Sequence, residues 1–458
     1  MAWVCRMTWR GGLGVAWVAL CLTGSGCATV RQAREAQDSR RIPAGERTVT
    51  AAELGLKAET VLTLERAAQV ALTYHPAMVQ ARQTVVAASN GLVQAQAARA
   101  PSVGASAGYR RGTSNTAAKS GRNTSADSYS AGVSADQLLY DFGRTAASIR
   151  QAEASLQSAV EGLRGARNDV VYGTRVAFYE LSRAQEFLGV AEETERQYVK
   201  RLGQVQALAE VGRRIKYDIT KAEVDLGNAR LDLINARNAV ADARAALMRS
   251  LGLAEDPQCR IAGCPPVEVA WTLEDRLEVA RRVQPGLKAV QAQVRAASAA
   301  VDGAVADLYP SLSLSGEYLW NGSALPLFWN WAGAARAGWN LFDGGRKAAA
   351  VNAAVANLRA ARAQAADREQ QIYLDLRTAF TQLAGARERE GLTGLIVKQA
   401  GENLNLVSER YRIGQASSVE LTDAQVSLSQ ARANQVKARF DYQSAMAAIM
   451  RTTGEDEQ

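Results

Sequence analysis

Residues Leu308–Trp320 read Leu-Tyr-Pro-Ser-Leu-Ser-Leu-Ser-Gly-Glu-Tyr-Leu-Trp, and an earlier stretch, Arg99–Tyr109, reads Arg-Ala-Pro-Ser-Val-Gly-Ala-Ser-Ala-Gly-Tyr. In both, an Ala-rich helical run stops at a Pro-Ser pair and strict alternation begins. The residue before a proline is pushed out of the helical region, so the break has a steric cause. Beyond it, Leu312, Leu314, Tyr318 and Trp320 alternate with Ser311, Ser313, Ser315 and Glu317. In the earlier stretch Val103, Ala105, Ala107 and Tyr109 alternate with Ser102, Gly104, Ser106 and Gly108. A period of two over this length predicts a strand with one apolar face. A return strand follows each copy. Its apolar side carries Tyr129, Ala131, Val133 and Ala135 in the first, and Trp331, Gly333, Ala335, Ala337 and Trp339 in the second. The Ser/Thr/Asn/Gly-rich stretch between the first pair, Arg110 to Asp127, predicts a solvated loop.

The match between the two stretches extends outward in fixed register, which marks an internal repeat. Leu64-Glu65 aligns with Leu273-Glu274, Pro76 with Pro285 and Ala87-Ala88-Ser89 with Ala296-Ala297-Ser298. After one change of offset, Asp141-Phe142-Gly143-Arg144 meets Asp343-Gly344-Gly345-Arg346, Gly212 meets Gly414 and Gly252 meets Gly454. A single loop of differing length explains the change, because surface loops tolerate insertion.

On the far side of each hairpin the period becomes helical. Val170, Thr174, Ala177, Leu181, Ala184 and Leu188 fall at alternating steps of four and three, and Ile372, Leu376, Ala379, Leu383 and Ala386 repeat this. Such a seam predicts helices packed side by side as in coiled coils. The first runs from about Arg144 to Glu210, roughly 100 Å at about 1.5 Å per residue. A turn at Gly212 leads into a returning helix, about 217–250, which laid end to end with the preceding 77–100 helix makes a column of similar length. The chain then divides into a signal peptide (1–26), an N-terminal linker (27–61) and repeat 1 (62–253, hairpin about 102–138, tip near 212). An inter-repeat linker (254–270), repeat 2 (271–454, hairpin about 311–340, tip near 414) and a tail (455–458) follow. The fold class expected is mainly α with membrane β-hairpins, a duplicated helix–hairpin–helix unit.

Composition agrees with long helices. Hydrophobic residues make up 47% of the 458, yet aromatics only 6%, and the 9 prolines leave 102–256 and everything after Pro326 uninterrupted. The net charge of +8 comes from Lys and Arg interleaved with Asp and Glu along helical stretches. That pattern describes a solvated helix face, and no nucleic-acid partner is expected.

Arg6 and Arg10 precede a short apolar run, Gly14–Leu22, which predicts an export signal. The run ends in Leu22-Thr23-Gly24-Ser25-Gly26-Cys27, which resembles the lipobox of bacterial lipoproteins and predicts acylation of Cys27. The alternative is an ordinary signal cleaved near Ala28. Cys5 and Cys21 leave with the signal, so Cys259 and Cys264 remain as one pair in an oxidising compartment, where a disulfide is expected. No segment is apolar and long enough for a transmembrane helix, so any spanning part must be strands in a closed barrel. Two hairpins in one chain cannot close one, and Trp320, Trp329, Trp331 and Trp339 cluster as in the aromatic girdles of membrane barrels.

The duplicated Leu-Thr-Leu-Glu with its later Pro, the Pro-Ser before a strand, the Asp-x-Gly-Arg after the return strand, and Tyr-Arg-Ile-Gly-Gln-Ala-Ser-Ser-Val-Glu-Leu-Thr-Asp-Ala-Gln (Tyr411–Gln425) together resemble the TolC-type outer-membrane efflux family. The resemblance covers about 62–454. It implies a homotrimer with a twelve-stranded β-barrel continued by a long α-helical periplasmic barrel. It implies an exit duct in the Gram-negative outer membrane that serves efflux or type I secretion. The partners implied are a periplasmic adaptor, an inner-membrane RND or ABC transporter and outer-membrane lipid. The tips, with Gly212, Arg213 and Arg214 in one and Gly414, Gln415 and Ser417 in the other, are expected to dock the adaptor. Glu420 and Asp423 fall on the acidic pair that narrows the pore, and Asp218 lies at equivalent depth in the first tip. Ala416 stands where relatives carry a basic tip residue, so the salt bridges that lock the gate are expected to differ.

The competing reading is an exported coiled-coil stalk or adhesin, which accounts for the heptads but not for two alternating hairpins in equivalent places. Catalysis is not expected. The single histidine, His75, is matched by Gln284, and Asp141-Phe142-Gly143 resembles a kinase triplet without any other kinase part. Cys259 and Cys264 lack further Cys or His nearby, so neither zinc nor any cofactor is expected.

Overall fold

In a computed structural model of the chain, residues 61–114, 124–212, 215–254, 259–263 and 270–455 are described, with isolated positions between 29 and 50. The first repeat holds β1 (Val61–Leu62), α1 (Leu64–Tyr74), α2 (Pro76–Ala97), β2 (Ser102–Ser114), β3 (Thr124–Tyr140), α3 (Arg144–Glu210) and α4 (Lys216–Leu251). The second holds β4 (Arg260–Ile261), α5 (Leu273–Val283), α6 (Pro285–Ala306), β5 (Ser311–Gly322), β6 (Phe328–Gly338), α7 (Arg346–Arg412) and α8 (Ser418–Thr453). The duplication is metrical as well: α3 and α7 each have 67 residues, α4 and α8 each 36.

Equivalent residues start equivalent helices. Thr63 Oγ1 accepts the Arg66 amide and Thr272 Oγ1 the Asp275 amide. His75 Nδ1 accepts the Ala77 amide at 3.1 Å, and Gln284 Oε1 takes the same role for Leu287, each just ahead of a proline at the first helical position. Side-chain acceptors satisfy amides that the first turn leaves without partners. Asp141 closes the turn after β3: Oδ1 accepts from the Gly143 amide at 3.2 Å and Oδ2 from the Thr145 amide at 2.7 Å. Asp343 Oδ2 does the same for Lys347. The kinase-like triplet is therefore a strand-to-helix turn.

The helices form one layer of columns. α3 packs against α2 and α4 on one side and against α6 and α8 on the other, and α7 packs against α6 and α8. The order across the layer is α2/α4, α3, α6/α8, α7. The sheet repeats it, β2-β3-β5-β6, because each strand continues a column. Within the first column α4 abuts α2 end to end, and a Cβ on Gly252 would sit 2.9 Å from the His75 Cα. On Gly454, which ends α8, it would sit 2.7 Å from Pro285 Cδ, so the third column is stacked the same way.

The core lies at these junctions. Leu62, Phe178, Leu181, Leu247, Leu251 and Phe440 form one buried cluster, and Ile372, Leu376, Ala379 and Ile449 a second. Both contain the heptad seam residues of α3 or α7. Burying one such large side chain is worth about 1.5–3 kcal/mol. A two-residue parallel ladder, Val61↔Arg260 and Leu62↔Ile261, ties the start of repeat 1 to the linker.

One expectation needs correction. Arg110–Asp127 was expected to be loop, yet β2 runs to Ser114 and β3 starts at Thr124. The register sets Arg111 opposite Asp127, with a 3.7 Å ion pair, and Tyr109 Oη donates to Asp127 at 2.9 Å. These cross-strand pairs carry the ladder into a polar stretch that alternation alone does not mark.

Candidate functional site

Strand register places the apolar residues of all four strands on one face. Val103 pairs with Ala135, Ala105 with Val133 and Tyr109 with Tyr129; Val133 pairs with Tyr318 and Ala131 with Trp320; Tyr318 pairs with Trp331 and Trp320 with Trp329. The other face carries Ser102, Ser106, Ser130, Ser134, Asp136, Ser313, Ser315, Glu317 and Arg336. A sheet with one apolar and one small, polar face suits lipid outside and water inside.

Aromatic rings collect at both ends of this apolar face. Tyr109 lies 5.0 Å from Tyr129, and Tyr318 packs on Trp320 and Trp329, near the hairpin ends. At the helix end, Phe142 stacks on Tyr309 and edges against Tyr140, with Trp339 fixed by its Nε1 donating to the Leu308 carbonyl at 3.0 Å. From Tyr129 to Tyr140 the strand advances about 37 Å at about 3.4 Å per residue, hence about 28 Å of height at a tilt of about 40°. That matches the apolar band of outer-membrane barrels, about 25 Å tall.

β2 and β6 are open edges of the sheet. Below them the outermost columns also carry exposed apolar residues: Val86, Val93, Val224, Leu231 and Ile234 on α2/α4, and Leu374, Leu392, Leu395, Ile396 and Leu406 on α7. Unsatisfied edges cannot persist in lipid, so β6 of one copy must meet β2 of the next.

At the opposite end α3 and α4 reverse at Gly212 (φ +73°), and α7 and α8 at Gly414 (φ +79°), in the left-handed region that glycine adopts without strain. Arg213 and Arg214 lie outside the described residues. Val211, Ile215, Tyr217, Ile413 and Val419 are exposed around the turns. Gln415 is exposed, and its amide donates to the Arg410 carbonyl at 2.8 Å.

Ser417 and Glu420 form a reciprocal capping box at the start of α8: Oγ accepts the Glu420 amide at 3.1 Å and the carboxylate accepts the Ser417 amide at 3.2 Å. Arg410 lies 3.9 Å from the same carboxylate. Asp423 is exposed one turn further on, with no hydrogen bond or ion pair among the described residues. Asp218 accepts from Ser418 Oγ at 3.2 Å, so the first tip touches the second. Ala416 is buried against Tyr411 and Leu421.

The residue that joins the tips is Arg201, 3% exposed near the end of α3. Its Nη1 donates to Thr422 Oγ1 at 2.7 Å and Gln425 Oε1 at 3.1 Å, and its Nη2 to the Ser418 carbonyl at 2.8 Å. Asp225 on α4 lies 3.5 Å from Nη1. Burial, and then the Asp225 charge, push the neighbouring Tyr198 hydroxyl above its ordinary pKa of 10.0 and keep it neutral. Arg201 therefore links α3, α4 and α8. Sequence reading, which followed the heptad seam to Leu188, missed it. Continued from Leu188, the same steps fall on Tyr198, Leu202 and Val205 and pass Arg201 by one position, so the period itself carries no signal for it. Arg410 was missed because it lies ten positions before Glu420, across a turn.

The sequence profile of the outer membrane efflux protein family matches residues 67–253 and 277–455, one segment for each repeat. The chain belongs to this family. It is an outer-membrane exit duct for efflux or secretion, and the family's channels are homotrimers that work with periplasmic adaptors and inner-membrane pumps. Three copies supply the twelve strands that close the barrel, and the helical layer lies in the periplasm. Protein CyaE of Bordetella pertussis is 28% identical over 409 residues, spanning 86% of this chain and 84% of that protein. Among solved structures, a membrane protein from Pseudomonas aeruginosa superposes with a TM-score of 0.79 at 22% identity, over 85% of this chain and 90% of that one. The Campylobacter jejuni CmeC outer membrane channel gives 0.78 at 16%, over 85% of each. The open state of the Neisseria gonorrhoeae MtrE channel gives 0.75 at 20%, over 90% and 94%. Membership of the outer membrane efflux protein family sets aside the stalk or adhesin reading.

Proposed function

We propose that the duct is closed at its periplasmic end by rings of Glu420 and Asp423, supplemented by Asp218, and that it prefers cations. The observation that carries this is the Asp218–Ser418 contact, which sets acidic groups of both tips at one level. In a homotrimer each position becomes a ring of three like charges, which stabilises cations and repels anions. Glu420 also serves its own helix, since a carboxylate in the first turn favours the dipole by about 0.3–1 kcal/mol. Glu420→Ala with Asp423→Ala is expected to lower cation preference in planar bilayers and to relieve block by trivalent cations. Unchanged selectivity and block would leave Glu420 as a cap only.

The tips are the proposed adaptor surface: Gly212 with Arg213 and Arg214, which lie outside the described residues, and Gly414, Gln415 and Ser417, with the exposed Val211, Ile215, Ile413 and Val419 as apolar contacts. A bulky residue at Gly212 or Gly414 should cut export while the trimer persists, and normal export in both variants would remove the assignment. No catalytic role is inferred: His75 spends its acceptor nitrogen on a helix cap, and Asp141 spends both oxygens on a turn. Two covalent features complete the proposal. Cys27, which lies outside the described residues, carries the lipid anchor, and a mature N-terminus starting at Ala28 or later would rule that out. Cys259 is buried in the core cluster around Leu62, and Cys264 lies outside the described residues. The two form a disulfide, and two alkylatable thiols in protein purified without reductant would refute it.

A further inference from the structure

The duplication gives the helical wall two kinds of seam. One lies within the chain, where α3 of the first repeat packs against the α6/α8 column of the second. The other lies between copies, where α7 of one meets the α2/α4 column of the next. α7 repeats α3 in length and α4 repeats α8, and Gly414 stands where Gly212 does. Each contact of the intrachain seam therefore has a definite counterpart between copies.

The intrachain seam holds an ion pair: Arg439 Nη1 of α8 lies 3.2 Å from Glu186 Oε1 of α3. The matching residues are Arg237 on α4 and Glu388 on α7, so both charges recur. Both are exposed, and neither makes an ion pair among the described residues. Their own helices offer them no partner. Leu233, Ile234, Val240 and Ala241 lie three and four positions from Arg237, and Ala384, Gly385, Gly391 and Leu392 from Glu388.

Other contacts recur in kind. Arg175 Nη1 lies 2.8 Å from Met450 Sδ across the intrachain seam, and Arg377 and Met248 match them. Thr194 meets Ser429 at 3.2 Å; the counterparts are the exposed Ile396 and Gly227, where a Cβ would find no atom of its own chain within 4 Å. The sheet carries the same relation into the barrel. The β3–β5 pairing Val133↔Tyr318 maps onto Ala335 of β6 opposite Tyr109 of β2.

We propose that contacts between copies repeat the intrachain seam, with Glu388 of one copy paired to Arg237 of the next. Three such pairs in the trimer set the register of the helical wall, as complementary charges do across an interface. The relation stops at the tips. Arg201 is matched by Asn403, so the buried guanidinium that joins the tips within a chain has no counterpart between copies. The seam rests on the homotrimer.

The test is cross-linking and charge exchange in the detergent-solubilised full chain. Glu388→Cys with Arg237→Cys, treated with a short bismaleimide, should give covalent dimers and trimers on denaturing gels. Either substitution alone, or the native cysteines alone, should leave monomers. Glu186→Cys with Arg439→Cys should cross-link within one chain and stay at monomer mass. Like charges facing each other oppose association, so Glu388→Arg or Arg237→Glu should raise the concentration at which half the trimer dissociates roughly tenfold or more. Glu388→Arg with Arg237→Glu should return it to within about threefold of the original, a rescue that a folding defect does not show. A trimer without the paired cross-link, the same oligomers from one cysteine alone, or an exchanged pair no better than the single variants would overturn the seam alone. A chain that stays monomeric throughout would overturn the homotrimer with it.

Discussion

Replacing Arg201 with Met should loosen the periplasmic tips without disturbing the rest of the molecule. The side chain is 4% exposed and holds three side-chain or backbone acceptors besides Asp225. Removing one partner of a buried ion pair costs about 3–5 kcal/mol, because the other charge is left uncompensated. Asp225 retains 15% side-chain exposure and a hydrogen bond from Thr422 Oγ1 at 3.3 Å, so the lower end, about 3 kcal/mol, is appropriate. At about 1.4 kcal/mol per decade, that is a roughly 100-fold rise in the open fraction of the local equilibrium. Hydrogen exchange of the detergent-solubilised trimer reads it directly. Amides of 196–212 and 418–428 should exchange roughly 100-fold faster, while those around Phe178 and Leu376 keep their protection. Arg201→Met with Asp225→Leu removes both charges and should restore most of the protection, since an apolar replacement of both partners is often neutral. Unchanged exchange in the single variant, or a double variant worse than the single, would refute the tip-joining role.

His75 gives a pH prediction. Burial, and then the charge of Arg249, lower its pKa below the usual 6.5, so the unfolded chain takes up the proton first. The stabilisation is full above about pH 6.5 and is lost as pH falls through that value toward the folded pKa. His75→Gln, which installs the residue found at position 284, should keep the cap and flatten melting temperature between about pH 5 and 7.5; an unchanged slope would contradict this. Gly454→Ala and Gly252→Ala add a clash to left-handed strain, with contacts at 2.7 and 2.9 Å, and should each cost more than about 2 kcal/mol. Gly414→Ala meets no atom within 4 Å, so only the strain of about 1–2 kcal/mol applies, and equal melting temperatures for all three would overturn the column-stacking account.

Much of the fold was legible because it depends on periods. The steps of four and three at Val170–Leu188 and Ile372–Ala386 fixed the helix seams, and alternation after Pro101 and Pro310 fixed which strand face is apolar. Those signals are local and twofold repeated, so each copy checks the other. What sequence reading did not supply depends on proximity between distant segments. The girdle at the helix end joins Tyr140 and Phe142 of one turn to Tyr309 of another and to Trp339; Trp339 stands out in the alternating run, and the other three belong to no such run. The strands past Arg110 are held by Arg111, Tyr109 and Asp127, ordinary loop residues until the register brings them opposite one another. Arg201 reads as one more charge on a solvated face, because it lies one position off the seam that runs through Tyr198, Leu202 and Val205, and its partners come from α4 and α8. Glu420 was legible as an acidic residue near a turn. Its bond to Ser417 follows from Ser-x-x-Glu spacing, a capping-box signature that sequence reading had available and did not use.

The central claim is that copies of this chain close a barrel through β6 meeting β2 and conduct through it. The most direct measurement is single-channel recording in planar bilayers of the purified protein, separated by size into trimer and monomer. The account predicts discrete, uniform conductance steps from the trimer fraction, with cations preferred, and none from the monomer fraction. A protein that stays monomeric in detergent, or a trimer that inserts without conducting under any voltage or tip variant tested, would contradict it.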